Sequence, residues 1–146
     1  MTSQSTFRRD AVVSTENAPV PLPVFSQAIV ANNIVYVSGN VGMKPSTGKL
    51  EQGVAAQTTQ VLKNLQGVLE AAGSGLGKVI KVNVYVTDMS KFAEMNAAYL
   101  GVFEEPQPVG KKTPFGVGVN ATKHLTRAVS GLPFGAQVEM ECQALL

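Results

Sequence analysis

Apolar residues recur along this chain with two different spacings, and the switch between them outlines the fold. Val54, Val61, Leu62, Leu65, Val68, Leu69 and Ala72 return at helical spacing, while Gln57, Gln60, Lys63 and Gln66 fall largely outside that stripe. The pattern predicts one amphipathic helix over Val54–Ala72, laid on a sheet and ended by Gly73. Elsewhere the period is two. In Val79–Thr87, Ile80, Val82, Val84 and Val86 share one side, and Lys81, Asn83, Tyr85 and Thr87 the other. In Ala136–Leu145, Val138, Met140 and Cys142 alternate with Gln137, Glu139, Glu141 and Gln143. Both segments read as strands with one apolar and one semi-polar face.

The other elements are shorter. Ala11–Thr15 and Phe25–Ala31 have strand character, and the prolines of Glu16–Pro23 make an extended connection between them. Asn32-Asn33 predicts a tight turn that folds Ile34–Gly39 back as a hairpin. That strand runs out into Ser38, Gly39, Asn40 and Gly42, small residues that let backbone turn or approach a ligand closely. Asp88 or Ser90 caps a second helix, Lys91–Phe103, with Phe92, Met95, Tyr99 and Phe103 as its buried stripe. Prolines and glycines over 104–123 predict an extended loop. His124–Ser130 returns to strand, and Leu132–Gly135 is a turn. Residues 1–10 carry no periodicity and read as a frayed tail ahead of a single domain over 11–146. Two helices cover only one face of such a sheet. The expected fold is therefore an α+β, ferredoxin-like domain whose uncovered, semi-polar face is used in assembly.

Composition sharpens this in three ways. At 15% charged residues the chain is charge-poor, which suits surface buried in an oligomer. A net charge of +2, with no basic run interleaved with aromatics, speaks against nucleic acid as a partner. A single cysteine and a single histidine exclude an intrachain disulfide and a cysteine-built metal site, so no metal is expected. Cys142 reads as a core thiol. No apolar run approaches a membrane span, and the N-terminus lacks a signal core. A cytoplasmic setting is the expectation, with a mitochondrial presequence as the alternative reading of the Ser- and Arg-containing first residues.

A set of short strings, in one order, resembles the RidA/YjgF family of reactive-intermediate imine deaminases. They are Glu16-Asn17-Ala18-Pro19, Phe25-Ser26-Gln27-Ala28, Val35-Tyr36-Val37-Ser38-Gly39 and Gln57-Thr58. Asn64-Leu65 and Val68–Gly73 continue the match, followed by Val84–Met89, Phe92, Met95-Asn96, Tyr99 and Phe103. Leu132-Pro133, Gly135-Ala136 and Val138-Glu139-Met140-Glu141 complete it. The resemblance implies a fold like bacillus-type chorismate mutase and a homotrimer with a cleft at each subunit interface. It implies hydrolysis of 2-imino acids to 2-oxo acids and ammonia, without metal or organic cofactor. Such chemistry needs little: a hold on the carboxylate, a placed water and help with proton transfer.

Carried onto this chain, the resemblance makes Ser38 and Gly39 substrate-binding at the strand end. Asn96 would contact substrate or brace the cleft, and Glu139 would orient the water. Three departures stand out. Pro23-Val24-Phe25 replaces the family's Gly-Pro-Tyr, so Phe25 keeps a ring but loses a hydroxyl. Asn40-Val41-Gly42 replaces Gln, an apolar residue and Pro. The family's carboxylate-binding arginine lies about nine positions before the Leu-Pro proline, and counting back from Pro133 lands on His124. Arg127 is three residues later, and an odd offset along a strand reverses the face. Two readings follow. In one, Arg127 anchors the carboxylate. In the other, His124 or Lys123 occupies that place, and the pocket survives without 2-imino acid specificity. Arg127 is the better carboxylate partner, because its planar fork binds two oxygens.

The leading expectation is imine hydrolysis by Arg127 and Glu139, with Phe25, Ser38, Gly39, Asn96 and His124 around the substrate. The alternatives are a diverged relative acting on another imine or small molecule in a specialised pathway, and a non-catalytic trimeric ligand-binding or chaperone-like protein. Endoribonuclease activity, attributed to some relatives, finds little support in this charge pattern.

Overall fold

The computed structural model describes residues 11–104 and 124–146. Its elements are β1 (Ala11–Val13), β2 (Ala28–Ala31), β3 (Ile34–Val41), α1 (Val54–Ala71), β4 (Val79–Val86), α2 (Phe92–Glu104), β5 (Leu125–Ala128) and β6 (Val138–Leu145). The strands form one six-stranded sheet in the order β1-β2-β3-β6-β4-β5. Neighbours are antiparallel except β4 and β5, which run parallel on either side of the α2 crossover. Both helices pack on one face, giving the α+β arrangement expected from the periodicities.

The core lies between that face and the helices. Val35, Val37, Val82, Val84, Val86, Val138, Met140 and Cys142 meet Val61, Leu62, Leu65, Val68, Leu69, Met95 and Tyr99. Cys142 is the expected core thiol, and burial, with a smaller push from the charge of Glu141, raises its pKa to about 12. Asn32 and Asn33 adopt φ of 51° and 61°, the left-handed pair that a two-residue hairpin loop needs. Gly73, at φ 84°, ends α1: its N–H bonds to the Glu70 carbonyl and that of Ser74 to the Leu69 carbonyl. This double bond is the Schellman closure that glycine favours.

Several boundaries differ from expectation, each for a physical reason. β2 starts at Ala28, not Phe25, because Gln27 turns its side chain onto the preceding irregular segment. Its Oε1 accepts from the Thr15 N–H, and its Nε2 donates to the carbonyls of Thr15, Ala18 and Pro19. Phe25 lies outside the strand and is 64% exposed. In β4 the pairing with β6 shifts between Val79 and Lys81. The extra residue sends Ile80 outward, 47% exposed, and turns Val79 into the core instead. α2 begins at Phe92, after a single 3-10 turn whose Ser90 N–H is capped by Asp88. Phe92 is therefore exposed, while Met95 and Tyr99 are buried. β5 covers Leu125–Ala128 rather than His124–Ser130, and β6 starts at Val138 rather than Ala136. The expected tail at 1–10 lies outside the described residues, as do residues 105–123 of the expected loop. Among the described residues no helix is long and apolar enough to cross a membrane.

Two buried amides on α1 fasten the strand ends that form the candidate site. Asn64, fully buried, donates to the carbonyls of Val41 and Met43 and accepts from Gln60. Gln57 donates to the Glu51 carbonyl and accepts from the Gln137 N–H. Asn64→Ala leaves the Met43 carbonyl without a donor and takes one of two donors from the Val41 carbonyl, which keeps the Met43 N–H. An unsatisfied group of this kind costs roughly 1–3 kcal/mol, so urea unfolding of this variant is expected to show a loss of about 2 kcal/mol. Gln66→Ala, which removes only an exposed bond to Glu70, should stay within about 0.5 kcal/mol of the parent.

Candidate functional site

The end of β3 is shaped by one extra residue. Val37 pairs with Cys142 and Asn40 with Met140, so β3 advances by one residue more than β6 between them. The strand does not run out at Gly39, as expected, but continues through this bulge to Val41. A bulge reverses the inward–outward parity. Val35 and Val37 face the core before it; after it Asn40 comes opposite core-facing Met140 and Val41 opposite Glu139, both of them buried. Asn40 closes the bulge by donating to the Ser38 carbonyl. Ser38 donates its hydroxyl to the Ser26 carbonyl and its N–H to the Gln27 carbonyl, tying the bulge to the residue that follows Phe25. Gly39 faces the Glu139 carboxylate, whose oxygen occupies the space a Cβ would take. Only glycine permits that approach.

Glu139 stands in a row that crosses the open face of the sheet. Register sets Val41 opposite Glu139, Glu139 opposite Tyr85, and Tyr85 opposite Arg127. One strand spacing, about 4.8 Å, separates neighbours in the row. Next to it, Glu141 is opposite Asn83 and accepts from the Asn83 amide at 2.9 Å and the Tyr85 hydroxyl at 3.1 Å. Glu139 is partly buried, and its pKa is raised, first by desolvation and then by the negative charge of Glu141. Tyr85 is raised too, by desolvation and by its bond to Glu141, with Arg127 pulling the other way. The structure thus brings Arg127, Glu139, Gly39 and Ser38 to one region, with Phe25 joined to it through Ser26.

His124 and Asn96 lie elsewhere. His124 Nε2 is 3.0 Å from Asn96 Oδ1, and Nδ1 is 3.0 Å from Thr126 Oγ1. The Tyr99 ring packs on the imidazole with centroids 4.7 Å apart, and Phe92 flanks it at 6.3 Å. With Asn96 Oδ1 as acceptor, Nε2 carries the proton and Nδ1 accepts from the Thr126 hydroxyl. This is a neutral imidazole, and burial lowers its pKa from 6.5. Thr126 pairs with core-facing Val84, whereas Arg127 pairs with Tyr85. His124 is therefore on the helix side of the sheet, and Arg127 on the open side. The odd offset between them does reverse the face.

Three participants were not singled out as site residues from sequence: Tyr85, Glu141 and Thr126. The first two were already on the polar side of alternating strands, but their meeting depends on strand order and register. The signal for Thr126 was its i+2 spacing from His124. Among the described residues no cluster of three or more His, Cys, Asp and Glu side chains is placed to hold a metal.

The fold and this face define a class: an α+β domain with helices on one side and an uncovered polar sheet on the other. The chain matches the family model described as Endoribonuclease L-PSP over residues 15–146. It is 34% identical to 2-iminobutanoate/2-iminopropanoate deaminase of Rattus norvegicus, over 92% of this chain and 88% of that protein. It is 39% identical to Reactive Intermediate Deaminase A, chloroplastic, of Arabidopsis thaliana, over 92% of this chain and 65% of that longer protein. A crystal structure of RidA from an Antarctic Psychrobacter superposes with a TM-score of 0.77 at 34% identity, covering 93% of this chain and 99% of that one. The chain belongs to the RidA/YjgF family.

His124 is the only histidine in the sequence, so its ring signals in a proton NMR titration are unambiguous. Its lowered folded pKa means that its contribution to stability is present above the unfolded value near 6.5 and is lost as pH falls through the folded pKa. The titration midpoint is expected below 6.5, and the acid-side loss of stability should shrink in His124→Gln. A midpoint at or above 6.5 would contradict the buried, neutral imidazole.

Proposed function

We propose that this protein hydrolyses reactive 2-imino acids to 2-oxo acids and ammonia, as a homotrimer whose clefts form between subunits. The observation that carries the reading is the Glu139 carboxylate, partly buried, raised in pKa, seated against Gly39 and standing in the row that ends in Arg127. The deaminase names of the rat and Arabidopsis relatives support the same reaction class. The depression on the open face, about 130 Å³ and lined by Tyr36, Lys81, Asn83, Glu141 and Gln143, lies beside the row of Glu139 and Arg127 rather than on it. That row is open sheet surface and ligands are usually held in concave sites, which favours a site completed by another copy.

The chemistry follows from these groups. Arg127 pairs with the substrate carboxylate through its two-pronged guanidinium. Glu139 takes a proton from water as the water oxygen bonds to C2 and passes it to the imine nitrogen as the C=N bond opens. The carbinolamine then collapses: its hydroxyl proton goes by way of Glu139 to the amino nitrogen, the C–N bond breaks, and ammonia departs from the 2-oxo acid. A carboxylate of raised proton affinity suits both halves of this exchange. The Ser38 hydroxyl, donating to Ser26, keeps oxygen lone pairs that accept from the imine N–H. Phe25 offers an apolar wall beside it. No metal or organic cofactor takes part in this scheme, and its partners are the small imino or enamine substrate and two further copies of the chain.

A second reading places the cleft on the helix side of β5, with His124 and Asn96 facing the ligand. The Asn96–His124–Thr126 bonds favour it, because they hold both candidates together. A neutral imidazole recognises an uncharged group there rather than a carboxylate.

The test generates 2-iminobutanoate in situ and traps it with semicarbazide. Wild-type protein should suppress the adduct; no suppression removes the deaminase reading. Glu139→Gln should lower the rate about 10²-fold, the lower end for lost acid–base help. It should do so without unfolding. A raised folded pKa stabilises only at low pH and loses that contribution as pH rises through it, so the variant is at least as stable near neutrality. Arg127→Ala should raise KM while His124→Ala leaves it near the parent value; the reverse pattern selects the second reading. Light scattering should give three chain masses.

A further inference from the structure

The open face contains a second carboxylate that the proposed reaction does not use. Glu141 follows Glu139 by two residues on β6, so both side chains leave the same face of the strand. The two are held differently. Glu139 meets Gly39 on β3 and has Tyr85 of β4 opposite it, with Arg127 of β5 beyond. Glu141 is clamped by two donors from β4, the Asn83 amide and the Tyr85 hydroxyl. Tyr85 sits opposite Glu139 yet reaches diagonally to Glu141, so its hydroxyl is committed to the neighbour and leaves the Glu139 oxygens free for water. Among the described residues, the other charged or titratable side chains on this face are Lys81 and Tyr36, both opposite Gln143 and so one step further from Glu139.

We propose that Glu141, fixed by Asn83 and Tyr85, is a positioning residue that holds a negative charge beside Glu139 and so sets the pH at which Glu139 exchanges its proton. This rests on Glu139 being the proton carrier of the reaction proposed above. Two like charges on adjacent same-face positions disfavour joint ionisation. Glu141 is the one held by two donors, and Glu139, without such donors, is the one open to a proton. The upward shift of Glu139, caused by desolvation and then by Glu141, agrees with that order. The clamp also fixes direction: an unclamped Glu141 would be free to swing away or to compete for the water.

The experiment uses full-length protein carrying Glu labelled with carbon-13 at the side-chain carboxyl. Glu139→Gln assigns the Glu139 resonance by its loss. In Glu141→Gln, which keeps the side-chain shape and an acceptor for Asn83, the Glu139 midpoint is expected to move to lower pH. The acid limb of kcat/KM should move with it, with a smaller rate loss than in Glu139→Gln. Tyr85→Phe, which removes one donor but not the charge, should leave the Glu139 midpoint higher than Glu141→Gln does. An unmoved Glu139 midpoint in folded Glu141→Gln overturns the inference. Absence of deaminase activity in the wild type overturns the function reading separately, because the carboxyl titration still decides whether Glu141 governs Glu139.

Discussion

The Asn64 amide supplies the hydrogen bond that the backbone beyond β3 does not make for itself. Past Val41 the chain turns on its own bonds, Met43 N–H to the Val41 carbonyl and Glu51 N–H to the Gly42 carbonyl, and the Met43 carbonyl is met from α1. Asn64 donates to the Val41 carbonyl as well, and Gln57 bonds in the same way to the start of β6 and to Glu51. With Gln27 holding the segment before β2, no buried side-chain polar atom among the described residues lacks a partner. Unpaired buried polar groups are costly, so these amides decide where irregular backbone is tolerated. They place it beside the bulge of β3, where Ser38 and Gly39 come up against Glu139. Gly42 shows how closely this packs: a Cβ there would meet the backbone of Gln57 at 2.5 Å.

Parity then distributes the chemistry. One extra residue in β3 turns Asn40 inward, and one in β4 exchanges Val79 for Ile80 in the core. In β5 no such irregularity occurs between Leu125 and Ala128, so His124 and Arg127 remain on opposite faces. That separates the candidate residues into an open-face group around Glu139 and a helix-side group around His124. The two groups differ in character. The helix-side group is internally satisfied, with both imidazole nitrogens bonded and aromatic rings on its flanks. The open-face group is charged and incompletely covered, and an incompletely covered set of charges is the one with capacity left for a ligand.

How much of this could be read from the sequence depends on the range of the interaction. The long elements α1, β4 and β6 were legible because each is long enough for its period to show. So were the Asn32-Asn33 turn and the Gly73 cap, which local backbone geometry demands. Phe25–Ala31 was misread as one strand because Gln27 prefers long-range bonds to Thr15, Ala18 and Pro19 over continuing the ladder. Phe92 was misplaced in the core because the 3-10 turn before it shifts where α2 begins. Ile80 shared the period of Val82 and Val84, and only the pairing with β6 reveals the bulge. Glu139 and Arg127 were nameable, but not their row, since β6 lies between β3 and β4 despite coming last in the chain.

The same non-locality explains why the open face works as a unit. Tyr85 belongs by register to Glu139 and by hydrogen bond to Glu141, so a single side chain couples the two acids that β6 places side by side. If Tyr85 instead bonded Glu139, the phenol would stabilise the charged form of that acid and hold it as a static acceptor. Directed to Glu141, it leaves Glu139 desolvated, beside a like charge and without a donor of its own. Those conditions raise proton affinity while keeping an oxygen available. The polar face predicted from simple alternation is thus not uniform. It contains one carboxylate built to remain bonded and one left able to change its protonation.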